Sequence, residues 1–374
     1  MIDLPVTPLR WLDPTHVRFG RRTLLAFAGC NYLGLSWHSN LRRAVEASTR
    51  RGPLHPGASR ATTGEHASYL VLEQELAGFC GPDAALLCAT GYLATLAAFQ
   101  GLAGQFTHVF LAAGAHACGE DGARLAGRPV QRFERTDLIA LHQQLRRLPA
   151  GSRPLVADDG VFGSRGGVAP VADYLELLPP DGWLLVDDAH GLGTVGRGGR
   201  GTAAAAGLLD PRLVQIVSLA KALGAAGGAI LGSQLVIASI RARAAAFVGS
   251  TASPLPMVSA ARTALRMLRR APGRVGRLQR YCRQFHGLVS NPRAHGHGFP
   301  VLSDPRTPVS AVHPPSAAAA EALRAALLAA GIYPSWIRYL GGPSLGFFRF
   351  ALNSEHQPDD VARLAGVLKE TPVA

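Results

Sequence analysis

A set of short, uniformly apolar segments constrains this 374-residue chain more than any other feature. Ala84–Ala89, His108–Ala112, Pro154–Ala157, Trp183–Val186, Leu213–Ser218 and Ala229–Leu231 are too short for helices. Most lack the alternation of a strand wet on one face, so they read as strands buried on both faces. Helical stretches fall between several of them, among them Thr136–Arg147 and Val171–Leu178. Such alternation predicts an α/β fold with a largely parallel, doubly wound sheet in the first two thirds of the chain. Tyr69, Leu72, Leu76 and Phe79 keep helical spacing, and Tyr92–Leu102 reads as an apolar helix after a Thr90-Gly91 turn.

Ser253-Pro254-Leu255-Pro256 breaks this pattern and precedes an arginine-rich helix from Val258 to about Arg270. That helix reads as the connector to a second domain. In the tail a helix at Ala317–Ala330 ends at Gly331, a strand follows at Phe347–Leu352, and Gln357-Pro358-Asp359-Asp360 opens a last helix. Proline early and acids in the first turn are the expected start signals. The division is then 1–45, an irregular arm and helix; 46–255, a large domain; and 256–374, a smaller α+β domain.

A formal charge of +13 asks for an anionic partner: nucleic acid, a membrane surface or a substrate. Lys221 and Lys369 are the only lysines, so the charge is arginine spread along the chain, which looks like coding bias. The densest group is Arg241, Arg243, Arg262, Arg266, Arg269, Arg270, Arg274 and Arg277. With few aromatics between, it argues against nucleic acid and fits better an acidic carrier protein or a nucleotide tail. Five cysteines without a CxxC pair suit free thiols in a reducing, cytoplasmic compartment. His295-Gly296-His297 reads as a loop pair, so no metal is expected. No signal peptide is evident at the N-terminus. Ala222–Ile240 is free of charge for nineteen residues, yet Gly224, Gly227, Gly228, Gly232, Ser233 and Gln234 suit a buried strand and its turns, not a membrane span.

Three segments carry reactive groups. Thr90-Gly91-Tyr92 leads into a helix whose first N–H groups are free, and glycine lets a phosphate approach them closely. A plain structural turn has the same sequence. Leu184-Leu185-Val186-Asp187-Asp188-Ala189-His190 sets two acids and a histidine past a buried strand, where α/β sheets place their sites. Asp188 reads equally as a cap on the following turn. An ATPase strand is excluded, because no glycine precedes a lysine and the G-x-x-x-x-G-K-[ST] loop is missing. Ser218-Leu219-Ala220-Lys221-Ala222-Leu223-Gly224 puts a lysine at a strand end among small apolar residues. Desolvation there disfavours the ammonium form and leaves a nucleophilic amine. A surface lysine is the competing reading, weakened by the apolar run Ala222–Leu231.

From Asn31 to about His356 these segments fall in the order of a known family. NYLGL stands at 31–35, GASRATTGEH at 57–66, LEQELAGFCG at 72–81, ATGYLATLAA at 89–98 and AHACGEDGARLAG at 115–127. DGVFGSRGGVAP follows at 159–170, VDDAHGLGTVGRGGRG at 186–201, SLAKALGAAGGAILG at 218–232, STASPLP at 250–256 and RFALNSEH at 349–356. The chain resembles the α-oxoamine synthases, pyridoxal 5′-phosphate (PLP) enzymes of transferase fold type I, the aspartate-aminotransferase-like fold.

The resemblance implies a role for each matching residue. Lys221 carries the cofactor and is the acid/base at the substrate α-carbon; Asp187 pairs with the pyridine nitrogen. His116 stacks on the ring and His190 hydrogen-bonds its hydroxyl. Thr90, Gly91 and Tyr92 form the phosphate turn, with Ser218 beside it. Ser250 and Thr251 reach the phosphate of a neighbouring subunit, implying a homodimer. Arg349 holds the amino-acid carboxylate, and Asn31 lies near the substrate. The implied reaction joins a small amino acid to an acyl thioester, of coenzyme A or an acyl carrier protein, with loss of CO₂. Nucleic acid and membrane are not implied as partners.

Three positions depart from the family pattern. S-M-D-G or similar after G-V-F is Gly163-Ser164-Arg165-Gly166 here, a glutamate is Asp159, and a histidine expected before the following helix is Tyr69. The altered loop keeps open an aminotransferase or aldol-type enzyme on the same fold. A basic binding protein without catalysis is the remaining alternative, disfavoured by intact Lys221, Asp187, His116 and His190.

Overall fold

The computed structural model describes residues 8–290, 298–338 and 342–373. The pair His295 and His297 lies outside the described residues. Near the N-terminus, β1 (Arg10–Trp11), β2 (His16–Phe19) and β3 (Arg22–Leu25) form an antiparallel sheet. This corrects the expectation of an irregular arm. Val17, Leu24 and Ala26 form a small buried cluster, while Arg18 and Thr23 face solvent. Strands this short show too few apolar positions for a period of two to stand out. Then come α1 (Ser39–Arg51) and α2 (Ala67–Cys80). The His66 side chain caps α2 by accepting from the Ser68 N–H, so Tyr69 sits inside the helix's first turn. Its buried hydroxyl donates to the Ser253 carbonyl at 2.7 Å.

The large sheet follows as β4 (Ala84–Cys88), α3 (Gly91–Leu102), β5 (His108–Ala112), α4 (Ala117–Leu125), β6 (Val130–Phe133) and α5 (Leu138–Arg146). It continues with β7 (Pro154–Asp159), α6 (Val171–Leu177), β8 (Trp183–Asp187), α7 (Thr202–Ala205), β9 (Leu213–Ser218) and β10 (Gly228–Gly232). The strand order is β4-β10-β9-β8-β7-β5-β6. β5 to β9 pair in parallel, and β10 runs antiparallel to β4 and β9. β4, β7, β9 and β10 are buried at every residue, which is why their sequences read as apolar runs. β6 is the edge strand, half exposed and polar at Gln131 and Arg132, and carries no such signal.

The charge-free run Ala222–Ile240 divides into a turn, β10, a Ser233 cap and α8 (Gln234–Arg243). No helix among the described residues is long and apolar enough to cross a membrane. After α9 (Ala245–Val248), α10 (Leu255–Arg270) and α11 (Gly273–Val289) come β11 (Leu302–Ser303), β12 (Val309–Val312), α12 (Ala317–Ala329), β13 (Trp336–Ile337), β14 (Phe347–Ala351) and α13 (Pro358–Glu370). α13 has Pro358 in its first turn, and the Asp360 carboxylate accepts from the Gln357 N–H at 2.9 Å. β11-β12-β14-β13 form a second, antiparallel sheet.

The N-terminal segment is tied to this second sheet. Tyr333 N–H donates to the Leu25 carbonyl at 2.8 Å, and Ala351 N–H to the Phe27 carbonyl at 3.0 Å. These bonds hold the turn carrying Asn31 and Tyr32 beside β14, which carries Arg349.

Candidate active site

β7, β8 and β9 end side by side, so Asp159 and Asp187 are register partners and Ser218 lies one strand over. A carboxylate at a strand end needs donors. Asp187 accepts from the Ala189 N–H at 3.1 Å and from the Thr95 hydroxyl at 3.4 Å. The Cys118 thiol lies 3.3 Å from Asp187 Oδ2 and 2.9 Å from His116 Nδ1, joining the two. No arginine or lysine forms an ion pair with Asp187 among the described residues. Asp188 points the other way. It accepts from the Thr202 N–H at 2.8 Å and hydroxyl at 3.0 Å, so it fastens the start of α7 to β8. Burial pushes its carboxyl up to about 7 against those bonds.

His116 opens α4, where its ring accepts from the Cys118 N–H. The Tyr92 ring stands edge-on to it at 6.3 Å, and the Tyr92 hydroxyl donates to Asp121. Burial lowers the proton affinity of His116, with Lys221 acting the same way and Asp187 opposing. Behind His190, Tyr32 Oη is 2.6 Å from Nδ1. Burial, then Lys221, Arg349 and His116, holds the His190 imidazole well below its usual range, so it is neutral. Lys221 itself is half-buried in the turn after β9, less desolvated than its apolar flanks predict. It lowers the proton affinity of both imidazoles, so the three groups lie within electrostatic reach of one another.

Arg349 is buried at the middle of β14 without an acidic partner among the described residues. Its guanidinium donates to the Gly163 carbonyl at 2.7 Å, the Gly29 carbonyl at 3.0 Å and Tyr32 Oη at 3.2 Å. A cation with only neutral partners in the interior is costly unless an anion joins it. Asn31 is partly exposed, and its side chain accepts from the Ser36 N–H at 3.3 Å, closing its own turn.

The segments around α3 approach as closely as glycine allows. A Cβ on Gly228 would lie 2.5 Å from Gly91 Cα, and one on Gly91 would lie 3.7 Å from Ser218 Cβ. Thr90 caps α3 by accepting from the Leu93 N–H at 3.1 Å. The N–H groups of Gly91 and Tyr92 precede the first intrahelical bonds and stay open to an anion. An amine, a carboxylate with no arginine or lysine partner among the described residues, two imidazoles of lowered proton affinity and an anion-accepting helix start fit PLP in donor chemistry.

Ser250 and Thr251 stand apart from this group. Ser250 Oγ donates to the Ala246 carbonyl and Thr251 bridges to Ser59; no hydrogen bond joins either to Lys221, Asp187 or His190 among the described residues. No group of three potential metal ligands occurs among the described residues. Tyr32, Cys118, Thr95 and Asp159 also join the site, through His190, His116 and Asp187. Tyr32 lies within NYLGL and Cys118 two residues after His116, so both were within reach of the motifs. Asp159 is buried, and burial, then Asp187 and Asp158, drives its carboxyl well above the usual range.

The fold and this site define a PLP-dependent transferase. A family model described as aminotransferase class I and II matches residues 22–368. An 8-amino-7-oxononanoate synthase of Burkholderia mallei is 35% identical over 370 residues, covering 96% of this chain and 91% of its own. A Sphingomonas wittichii serine palmitoyltransferase superposes with a TM-score of 0.86 at 27% identity, covering 96% of this chain and 90% of its own. An 8-amino-7-oxononanoate synthase of Francisella tularensis shares the fold, with a TM-score of 0.78 at 23% identity over 93% of this chain and 97% of its own. The chain belongs to the class I and II aminotransferase family and, within it, to the α-oxoamine synthases.

Proposed function

We propose that this protein condenses a small amino acid with an acyl thioester, of coenzyme A or an acyl carrier protein, to give an α-amino ketone, CO₂ and the free thiol. The observation that carries the reading is Arg349, a buried guanidinium with only neutral partners among the described residues, whose charge, like that of Lys221, reaches His190. It suits the carboxylate of an amino acid.

When bound, PLP supplies an electron sink for charge at the amino acid's α-carbon. Lys221 would hold the cofactor and, once the amino acid's amine displaces it, its freed Nζ would take the α-proton. Asp187 would keep a proton on the ring nitrogen, and His116 and His190 would hold the ring at its face and its hydroxyl. Thr90, Gly91, Tyr92 and Ser218 take the phosphate, and Asn31 borders the substrate. The α-carbon then attacks the thioester carbonyl, the C–S bond breaks with sulfur leaving as the thiol, and the β-keto acid loses CO₂. Ser250 and Thr251 serve the partner's phosphate in a homodimer. The cytoplasm is the proposed compartment, and the proposed division is an arm (1–45), a PLP-binding domain (46–255) and a C-terminal domain (256–374).

The test is a thiol-release screen of small amino acids against a thioester panel, with products identified by mass. Release coupled to CO₂ and an α-amino ketone is expected, and no release with any pair would overturn the reading. One observation favours a second reading, an aminotransferase or aldol-type enzyme. Gly163 lies under His190 and brings no hydroxyl to the ring's surroundings. Amino transfer to a 2-oxo acid without a thioester identifies that case.

A further inference from the structure

A cavity of about 700 Å³ opens between the Leu35 turn, the end of α10 and the start of α11. Arg266, Arg270, Arg274 and Arg277 line it over apolar surface from Leu35 and Met267. Three of these four cations pair with two carboxylates. Arg266 pairs with Glu75 at 2.7 Å, while Arg274 and Arg277 both turn to Glu355. Arg277 Nε is buried with no acceptor among the described residues. Arg270 meets no acid among them. α11, seventeen residues long, starts at Gly273 with neither a side-chain cap nor an acid in its first turn, so its dipole adds to the positive potential. The volume is that of a small-molecule site.

This cavity is not the catalytic space but shares a wall with it. Arg274 donates to the Leu33 carbonyl at 3.1 Å, in the turn whose Tyr32 contacts His190. On the other side, a Cβ on Gly224 would lie 2.2 Å from Ser36 N, so the loop following Lys221 packs on the back of the same turn. Ser36 and Trp37 are exposed in that turn.

We propose that this cavity binds the phosphate groups of a small phosphorylated ligand, either the nucleotide tail of a coenzyme A acyl donor or a phosphorylated effector. The assignment of the donor rests on the acyl-transfer reading. A phosphorylated effector unconnected with the reaction presents the same chemistry, and the experiment separates the two.

PLP-loaded protein is titrated calorimetrically with adenosine 3′,5′-bisphosphate at near-physiological salt, as wild type, Arg270→Glu and Arg269→Glu. Arg269 is exposed, lies outside the cavity wall and changes the net charge equally. Arg270→Glu is expected to weaken binding about tenfold or more, and Arg269→Glu less than about twofold. Equal weakening by both, or no binding by the wild type, overturns the proposal. In turnover, a rise in KM at unchanged kcat for the coenzyme A thioester, but not for a truncated thioester without phosphates, assigns the site to the donor. Unchanged KM for both, with the Arg270 dependence of bisphosphate binding intact, assigns it to an effector. If no thioester is turned over yet that dependence holds, the acyl-transfer reading fails while the phosphate site stands.

Discussion

Tyr32 Oη lies 2.6 Å from His190 Nδ1 and 3.2 Å from Arg349 Nη2, and this pair of contacts favours one tautomer. The guanidinium can only donate, so Tyr32 oxygen accepts from it, and a phenol proton directed at His190 completes the chain. Burial holds the phenol well above its usual range, so that proton stays on. Nδ1 is then the acceptor, and the neutral imidazole carries its proton on Nε2, as a bond to the cofactor hydroxyl requires.

Tyr32→Phe is therefore expected to leave Nδ1 and one guanidinium N–H unpaired at once. Loss of one buried partner costs about 1–3 kcal/mol, so kcat/KM should fall about ten- to a hundredfold with the fold intact. The pH midpoint of the bound cofactor's visible band should move as well. Unchanged kinetics and spectrum would show that Tyr32 does not set the tautomer.

Gly163 bears on the same imidazole. A Cβ there would stand 2.5 Å from His190 Nε2, and the backbone carbonyl of Gly163 is also the acceptor for Arg349 Nε. Gly163→Ala should displace the ring from Tyr32 and weaken cofactor binding about tenfold, read by equilibrium dialysis of PLP. Affinity equal to wild type would mean that the ring can shift without cost.

Arg60 and Glu73 form a buried ion pair at 2.5 Å, and Glu73 also accepts from the Leu87 N–H at 2.7 Å. Removing the cation strands a carboxylate inside the protein. Arg60→Met is expected to cost about 3–5 kcal/mol, seen as a lower denaturation midpoint. A loss below about 1 kcal/mol would show that Arg241, 3.4 Å from Glu73, takes over the pairing.

Much of the large sheet was legible because β4, β5 and β7 to β10 are mostly or wholly buried, and burial writes itself into sequence as apolar runs. Asp187 and Lys221 stood out for a related reason: each is a polar residue at the end of such a run. Strands β1, β11 and β13 have two residues each and cannot show a period. Side-chain partnerships were less accessible still. Tyr32 and His190 are 158 positions apart, and nothing local in either segment points to the other. The arginine cavity has the same origin, since α10 and α11 give their charge in sequence but the fold alone decides which carboxylates neutralise it.

His356 offers a pH test of the small domain's attachment. It is buried, its Nδ1 accepts from the Asn353 N–H at 3.0 Å, and Nε2 lies 3.3 Å from the Ala26 carbonyl. A neutral ring satisfies both bonds and a charged one loses the first. Burial lowers its pKa to about 4, against an ordinary value of 6.5. Above 6.5 both folded and unfolded chains carry a neutral ring, and no difference arises. Between 6.5 and 4 the unfolded chain takes a proton that the folded one refuses, so stability falls as the pH falls, by up to roughly 3 kcal/mol. Below 4 the loss is complete and the contribution is flat. Carboxylates add their own slopes, so the comparison is between wild type and His356→Gln, whose neutral amide cannot be charged. Denaturation midpoints measured from pH 4 to 7 should fall more steeply for the wild type, and parallel curves for the two proteins would rule out His356 as the titrating group.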